Sequence, residues 1–183
     1  MAQGAAESVK VLLSEQQLRD GIERLSAQLH ADYGSRPVTF IAIMTGSLVL
    51  LADLIRRLDM PIRISLIQAS SYRGGTKSGE LHISQSMMLD IAGRDCILLD
   101  DIFDTGKTLV EVSAELRLLK PASLKSVVLL YKEGQSRVDV EPDYVAFRIP
   151  DEFVVGYGLD YDDHYRNLPY VAVMEPDDLA SVV

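Results

Sequence analysis

The sequence predicts an α/β fold in which a mostly parallel central sheet is flanked by helices. Two segments carry this prediction, residues 38–68 and 95–131, because in each a strand, a turn, a helix and a second strand follow one another. Such βαβ units build parallel sheets. The chain has 183 residues, of which 48% are hydrophobic, so it is long enough to form one domain with a substantial core.

Each element has a local signature. Ser14 and Gln17 form a capping-box pattern, and the apolar spacing that follows predicts a helix ending near Gly34. The other predicted helices are residues 48–58 and 108–119. Apolar runs rich in β-branched residues predict the strands, which are residues 9–13, 38–44, 62–68, 81–89, 95–99 and 124–131, with short strands near Tyr144, Phe153 and Tyr170. Residues 70–80 are polar and glycine-rich, which indicates a mobile loop.

Charge and composition exclude several classes of protein. The net charge of −9, from 18 basic and 27 acidic residues, argues against a surface that binds nucleic acid, although a local basic pocket is compatible with it. The single cysteine excludes an internal disulfide. No apolar run approaches the roughly 18 residues of a membrane span, and the first residues do not resemble a signal peptide. We therefore expect a cytoplasmic protein without a membrane partner.

The motif ILLDDIFDTGKTL at residues 97–109 combines acids with a phosphate-binding ending. A Walker A loop would need glycine five residues before Gly106, where this chain has Asp101, so a kinase or NTPase function is disfavoured. The shorter stretch DTGKT opens a helix, whose free N–H groups suit one phosphate. Asp100 and Asp101 then suit ribose hydroxyls or a Mg²⁺ ion.

These features together describe a ribose-5-phosphate site. The turn TGS at residues 45–47 follows another strand, and parallel strands place their carboxyl ends at the same edge of a sheet, where ligands bind. We therefore expect the two turns to converge. The alternative for the motif alone is an acidic strand end followed by a well-capped helix.

The motif LLDDIFDTGKT at residues 98–108 closely resembles the phosphoribosyl pyrophosphate signature of type I phosphoribosyltransferases. GSLVLLADLIRR from Gly46, IPDEFVVGYGLDY from Ile149 and YRNLP from Tyr165 resemble the hypoxanthine(-guanine) phosphoribosyltransferases within that family. The resemblance covers about residues 9–173. It implies the type I phosphoribosyltransferase fold, as a single domain over residues 1–183 and as a homodimer or homotetramer. The core would span roughly residues 35–140, and residues 9–14 and 141–175 would form a small hood.

The resemblance also implies an activity, the transfer of 5-phosphoribosyl from phosphoribosyl pyrophosphate to N9 of hypoxanthine, and of guanine, with release of pyrophosphate. Asp104 would be the acid/base residue beside the purine. Asp100 and Asp101 would hold the ribose hydroxyls and Mg²⁺. The 5′-phosphate would be bound by Thr105, Gly106, Lys107 and Thr108.

The remaining roles follow from the same resemblance. Pyrophosphate would contact Thr45, Gly46, Ser47 and Arg166. Lys132 would donate a hydrogen bond to the 6-oxo group of the purine, and Phe153 would stack on its ring. The main chain of Val154 would read the purine edge. Asp160, at the purine end of the site, would orient a second Mg²⁺ through water. Ser71 and Tyr72 belong to the loop that would close over the substrates.

The sequence departs from the family pattern at two positions, and other functions are compatible with it. Many relatives carry lysine where this chain has Thr45, and often glutamate where it has Asp100. Taken alone, Lys132 would be an ordinary exposed lysine and Phe153 an ordinary core residue. A phosphoribosyltransferase for xanthine stays possible. A regulatory RNA-binding protein with the same fold is disfavoured by the net charge and by the intact Asp104 and Lys132.

Overall fold

A computed structural model describes residues 10–70, 82–83 and 90–174, and its main feature is a six-stranded sheet. The strands of this sheet are β2 (Val38–Met44), β3 (Ile62–Ser70), β4 (His82–Ile83), β5 (Asp95–Phe103), β6 (Ser123–Lys132) and β7 (Tyr144–Ile149). Their order is β4-β3-β2-β5-β6-β7. All neighbours are parallel except β4, which is antiparallel to β3. The predicted α/β class with a mostly parallel sheet is confirmed.

Three short strands form a second, antiparallel sheet. They are β1 (Lys10–Leu13), β8 (Val154–Val155) and β9 (Val171–Val173), in the order β1-β9-β8. This sheet joins segments from both ends of the described chain, and its side chains Leu13, Val154 and Val173 belong to the same apolar cluster as one face of the large sheet. The division of the chain into a core and a hood stays a prediction.

Helices α1 and α3 begin and end within one residue of the predicted positions, whereas α2 is shorter than predicted. Helix α1 (Glu15–Tyr33) starts at the predicted capping box: the Gln17 N–H donates to Ser14 Oγ (3.3 Å) and the Ser14 N–H donates to Gln17 Oε1 (2.8 Å). Helix α3 (Lys107–Leu118) begins directly after Gly106. Helix α2 (Leu48–Ile55) ends three residues before the predicted position. The turn after it is held by hydrogen bonds from residue i to residue i−3, as in a 3₁₀ helix. The helical spacing of apolar residues therefore extends past the end of the α-helix.

Both faces of the central strands are buried. Phe40 and Leu129 face a cluster with α1, α2 and the small sheet, whereas Ile41, Leu98 and Val128 face a cluster with α3. This explains why β2 and β5 are continuous apolar runs rather than alternating ones. Each fully buried aliphatic or aromatic side chain stabilises the fold by about 1.5–3 kcal/mol.

Strand β5 is longer than predicted, and this corrects the position of the acidic pair. We expected a strand over residues 95–99 and a turn from Asp100, but β5 continues to Phe103. The strand continues because the adjacent strand β6 is long and pairs with β5 as far as Phe103 and Tyr131. Asp100 and Asp101 are therefore held by a strand rather than by a turn.

Some predicted features lie outside the described residues. The loop over residues 71–80, with Ser71 and Tyr72, is one of them, as is most of the strand over residues 81–89. No helix in the described ranges has the length and apolar character needed to cross a membrane.

Two ion pairs connect α1 to the segment after α2. A ring nitrogen of His30 hydrogen-bonds Asp59, and Arg57 lies 3.3 Å from Glu23. The hydrogen bond to Asp59 raises the pKa of His30, and the same bond lowers the pKa of Asp59. The stabilisation by the raised histidine is complete below its ordinary pKa and is lost as the pH rises through the raised value. The stabilisation by Asp59 is complete above the ordinary pKa of aspartate and is lost as the pH falls through the lowered value.

We predict that His30→Gln lowers the free energy of unfolding most between about pH 4 and pH 6.5, the ordinary pKa values of aspartate and histidine. The difference from the wild type should shrink at higher pH, because the wild-type histidine loses its proton. Urea denaturation at a series of pH values measures this, with His164→Gln as the matched control. A difference that does not depend on pH would contradict the assignment.

Candidate active site

Two loops meet at the carboxyl ends of β2 and β5. The first loop, residues 45–47, opens with a cis peptide between Met44 and Thr45. The Asp101 carboxylate lies so close to Gly46 that a Cβ added there would be 1.6 Å from Asp101 Oδ2. Only glycine therefore allows this approach, and the predicted convergence of the two loops is confirmed.

The two neighbouring carboxylates at the end of β5 are withdrawn from water. Asp100 is 8% exposed, and its Oδ1 accepts the Asp101 N–H at 3.1 Å. Burial, followed by the negative charge of Asp101, raises the pKa of Asp100 well above the ordinary value. Burial also raises the pKa of Asp101, although hydrogen bonds and the charge of Arg166 act in the opposite direction. The pair is thus a site where positive charge would be strongly favoured.

The phosphate-binding stretch forms the next part of the site. Gly106 has φ +80° and precedes the first turn of α3, whose leading N–H groups have no partner within the helix. A Cβ at Gly106 would lie 2.5 Å from both Phe103 and Val138. A cavity of about 300 Å³ opens here, and its lining includes Ile43, Asp100, Asp101, Phe103, Asp104, Thr105, Gly106 and Thr108. The aspartates and the helix terminus therefore face one space.

Two further contacts define the loop after β5. The Arg137 N–H donates to the Thr105 carbonyl at 3.0 Å, which ties the loop to the segment after β6. The Lys107 side chain is exposed and points along the helix to Glu111, at 3.7 Å. Sequence reasoning did not identify Arg137, because a main-chain donor leaves no signature in the side-chain pattern.

Lys132 ends β6 beside the same cavity. Its side chain is 11% exposed, with Nζ 3.8 Å from Asp104 Oδ2 and 3.5 Å from Asp151 Oδ1. The structure therefore brings Asp104 and Lys132 together. Asp151, held by Gln135 Nε2 at 2.6 Å, is an acid that sequence reasoning missed. The available signal was its place inside the quoted IPDEF motif.

Phe153 and Val154 stand at the start of β8. Phe153 is 45% exposed and contacts Tyr161 edge to face, with ring centroids 5.7 Å apart. Val154 is buried within the small sheet. Phe153 is therefore not a core residue, and one of its ring surfaces is available for stacking.

Arg166 holds Gly158, which packs against the loop over residues 45–47. Its Nη2 lies 2.8 Å from Asp160 Oδ1, and its Nη1 donates to the Gly158 carbonyl at 2.8 Å. Gly158 has φ +101°, and a Cβ there would be 2.1 Å from the Gly46 carbonyl oxygen. Arg166 and Asp160 were predicted as separate ligands, but here they form an ion pair with each other.

Two residues of the loop over residues 45–47 differ in exposure. The Ser47 hydroxyl is buried and donates to the Ile43 carbonyl, so it is engaged within the loop. Thr45 is exposed. Among the described residues no group of three or more acidic, histidine or cysteine side chains is arranged to hold a metal ion. A metal at Asp100 and Asp101 would need further ligands from a bound molecule.

Comparison with known proteins decides the family. The family model described as a phosphoribosyl transferase domain matches residues 8–162. The chain belongs to the phosphoribosyltransferase family. It is 41% identical over 169 residues to the hypoxanthine-guanine phosphoribosyltransferase of Staphylococcus aureus (strain Mu50 / ATCC 700699), covering 92% of this chain and 94% of that protein.

Solved structures agree with this family assignment. A hypoxanthine phosphoribosyltransferase from Staphylococcus aureus superposes with a TM-score of 0.88 at 38% identity, covering 97% of this chain and 99% of that one. A hypoxanthine-guanine phosphoribosyltransferase from Bacillus anthracis gives a TM-score of 0.85 at 38% identity, with 91% and 98% coverage. The predicted resemblance, the type I phosphoribosyltransferase fold and the enzyme class are confirmed.

We predict that Asp100→Asn makes this phosphoribosyltransferase more stable at neutral pH while weakening donor binding. A raised folded-state pKa means that the charged carboxylate destabilises the folded protein increasingly as the pH rises. Thermal unfolding at pH 5 and pH 8 measures this, and each kcal/mol gained should raise Tm by about 2–4 °C in a domain of this size. The exposed Asp139→Asn serves as the control. A lower Tm for Asp100→Asn at pH 8 would contradict the interpretation.

Proposed function

We propose that this enzyme acts in purine salvage: it transfers 5-phosphoribosyl from phosphoribosyl pyrophosphate to N9 of hypoxanthine, and of guanine, and releases IMP or GMP with pyrophosphate. The observation that carries the proposal is the placement of Lys132 Nζ 3.8 Å from the Asp104 carboxylate, beside the cavity after β5. A 6-oxopurine carries its oxo group and N7 along one edge. A lysine can donate to the first while a neighbouring carboxylate takes a proton from the second.

The same pair predicts discrimination against 6-aminopurines. The Lys132 ammonium has only donors, so it would leave a 6-amino group without an acceptor. A site built to hydrogen-bond one group rejects an analogue that cannot pair with it. Phe153, with its exposed ring, would stack on the purine from one side. Asp151 would hold Lys132 in position through their 3.5 Å contact.

The sugar end of the donor fits the acidic pair and the helix terminus. The N-terminus of α3 with Thr105 and Thr108 would bind the 5′-phosphate. Asp100 and Asp101 would accept hydrogen bonds from the ribose hydroxyls. As the bond to pyrophosphate breaks, positive charge develops at the anomeric carbon, and the desolvated carboxylates stabilise it electrostatically.

The reaction replaces one bond at the anomeric carbon of the ribose with another. Purine N9 forms a bond to the anomeric carbon, and the bond from that carbon to the pyrophosphate oxygen breaks. The proton of the purine imidazole passes to Asp104, which acts as general base. Pyrophosphate carries away the electron pair of the broken bond, and the loop over residues 45–47 with Arg166 would hold it.

The residues at the site also fit Mg²⁺. Proteins hold this ion through one or two carboxylates completed by substrate phosphates and water, and the site offers two adjacent carboxylates, the buried Asp100 and the partly buried Asp101. Asp160, beside Arg166, would orient a second ion through water. When bound, Mg²⁺ offsets the negative charge that builds on the leaving pyrophosphate.

We further propose that the enzyme works in the cytoplasm as a homodimer or homotetramer. The support for self-association is the resemblance to the hypoxanthine(-guanine) phosphoribosyltransferases. The substrates are small molecules, and the net charge of −9 makes nucleic acid an unfavourable partner. Light scattering of the purified chain would test the assembly, since a monomer at micromolar concentration would contradict it.

A turnover assay tests the proposed reaction. Purified protein with Mg²⁺, phosphoribosyl pyrophosphate and hypoxanthine should form IMP and pyrophosphate in equal amounts, and guanine should replace hypoxanthine. Adenine serves as the negative control. No turnover with any 6-oxopurine, together with tight binding of RNA, would overturn the proposal.

We predict that Asp104→Asn lowers kcat by about 10²–10⁴-fold, the usual contribution of a general base, while donor binding is retained. The asparagine keeps the shape of the side chain but cannot accept the purine proton. Steady-state kinetics and donor titration measure the two effects, with Asp139→Asn as the control. Equal losses of turnover and donor affinity would indicate a structural role for Asp104.

We also predict that Thr45→Lys lowers the KM for phosphoribosyl pyrophosphate by about tenfold, which corresponds to roughly 1.4 kcal/mol. The exposed position would then carry the charge that many relatives place there. Thr45→Gln supplies length without charge and should leave the KM unchanged. If Thr45→Lys also leaves it unchanged, main-chain contacts of the loop are sufficient for donor binding.

A further inference from the structure

A second cavity of about 300 Å³ lies at the opposite end of the parallel strands. It is formed where β2, β3 and β5 begin, and its lining includes Arg36, Thr39, Arg63, Arg94 and Asp95. Strand β2 spans seven residues, or about 23 Å at ~3.3 Å per residue. Because the candidate active site stands at the carboxyl ends of the same strands, this cavity is a separate site.

The charges around this cavity are not balanced. It is lined by three arginines and one acid, and that acid is already paired: Asp95 lies 2.9 Å from Arg36 and accepts the Ser123 hydroxyl. Arg63 and Arg94 form no ion pair within the described parts of the chain. Two uncompensated guanidinium groups therefore line one cavity, although the chain has nine more acidic than basic residues.

The roles of the three arginines differ. Arg36 is engaged within the fold, since each of its three nitrogens donates a hydrogen bond, to the main-chain oxygens of Tyr33 and Asp32 and to Asp95. Arg94 donates from Nε to the Asp90 carbonyl at 3.0 Å, and no other bond of its guanidinium occurs among the described residues. Arg63 is partly buried on β3 and makes no hydrogen bond there. Arg63 and Arg94 thus retain donors for a ligand.

The side chain of Thr39 supplies a further hydrogen-bonding group at this cavity. Thr39 lines the cavity and is only 2% exposed, yet its hydroxyl has no hydrogen-bond partner in the described ranges. Thr39 and Arg63 are register partners on the adjacent strands β2 and β3. A ligand oxygen in the cavity would give this hydroxyl a hydrogen-bond partner.

We propose that this cavity binds a small phosphate-bearing anion, with Arg63 and Arg94 as the charged contacts and Thr39 as the hydroxyl donor. The fork of guanidinium donors matches two phosphate oxygens, which makes arginine the preferred partner of phosphate. The volume admits a free phosphate or a small phosphate ester. A nucleic acid would need a longer row of basic side chains than the cavity provides.

Backbone amide NMR of the full chain locates the binding. Shifts at Thr39, Gly93 and Arg94 report this cavity, whereas shifts at Thr105 and Thr108 report the candidate active site. Inorganic phosphate and AMP are titrated in separate arms at constant ionic strength. Saturable shifts at the cavity are expected, and tighter binding of AMP than of phosphate would identify a nucleoside phosphate as the ligand class.

Variants test the named contacts. The double variant Arg63→Gln/Arg94→Gln should weaken binding at the cavity by about tenfold or more, because charge-assisted bonds are lost, while the shifts at Thr105 and Thr108 persist. Arg24→Gln, which changes an exposed arginine on α1, is the matched control. Thr39→Val keeps the side-chain shape and should weaken binding several-fold.

Three results would overturn the proposal. They are the absence of shifts at the cavity with both anions, shifts that rise without saturation, and an affinity that the double variant leaves unchanged. If the double variant does not fold, as judged by circular dichroism, the Thr39→Val titration decides, and an unchanged affinity there refutes the site.

Discussion

The candidate active site depends on two adjacent carboxylates, of which Asp100 is buried and Asp101 is partly buried. Asp100 and Asp101 are adjacent in β5, burial raises the pKa of both, and the Asp101 carboxylate lies directly against Gly46. Such an arrangement is unfavourable for the folded protein alone, because two neighbouring negative charges are withdrawn from water. It persists because the parallel ladder with β6 holds the strand through this point. In the neighbouring loop, glycine at position 46 leaves room for the Asp101 carboxylate.

The same pair explains why segments far apart in sequence meet here. Gly46 admits Asp101, Gly158 admits the Gly46 carbonyl, and Arg166 acts on the charge of Asp101 from the C-terminal segment. At the other side, β6 delivers Lys132 to Asp104. The parallel sheet thus supplies a rigid edge on which the destabilising carboxylates of Asp100 and Asp101 are held. A cationic or hydroxyl-rich ligand bound there would offset their destabilising effect on the folded protein.

Much of this could be predicted from local patterns. The capping box at Ser14 and the two βαβ units depend on neighbouring residues, so α1, β2 and the parallel sheet followed from the sequence alone. The phosphate-binding stretch was recognisable because Gly106 and the helix start are consecutive. The length of β5 was not predictable in this way, since it is set by pairing with β6, which is about 28 residues away.

Other features depend on contacts that only the folded chain creates. Asp151 and Lys132 meet across two elements, and Arg166 pairs with Asp160 through a turn containing residues with positive φ. The cavity at the amino ends of the strands combines arginines from three separate segments. Lys132, Asp160 and Arg166 were named from the family resemblance, but periodicity and motif spacing do not show which side chains meet in the folded chain.

The charge state of the acidic pair is the quantity that links fold to function most directly. Carboxyl ¹³C NMR of Asp100 and Asp101 across pH, with and without phosphoribosyl pyrophosphate and Mg²⁺, measures it. In the free protein the Asp100 carboxyl is expected to titrate well above the ordinary aspartate range, and its pKa should fall on binding, with release of a proton. If both carboxyls titrate in the ordinary range and the substrates leave them unchanged, the acidic pair is not the electrostatic centre of the site.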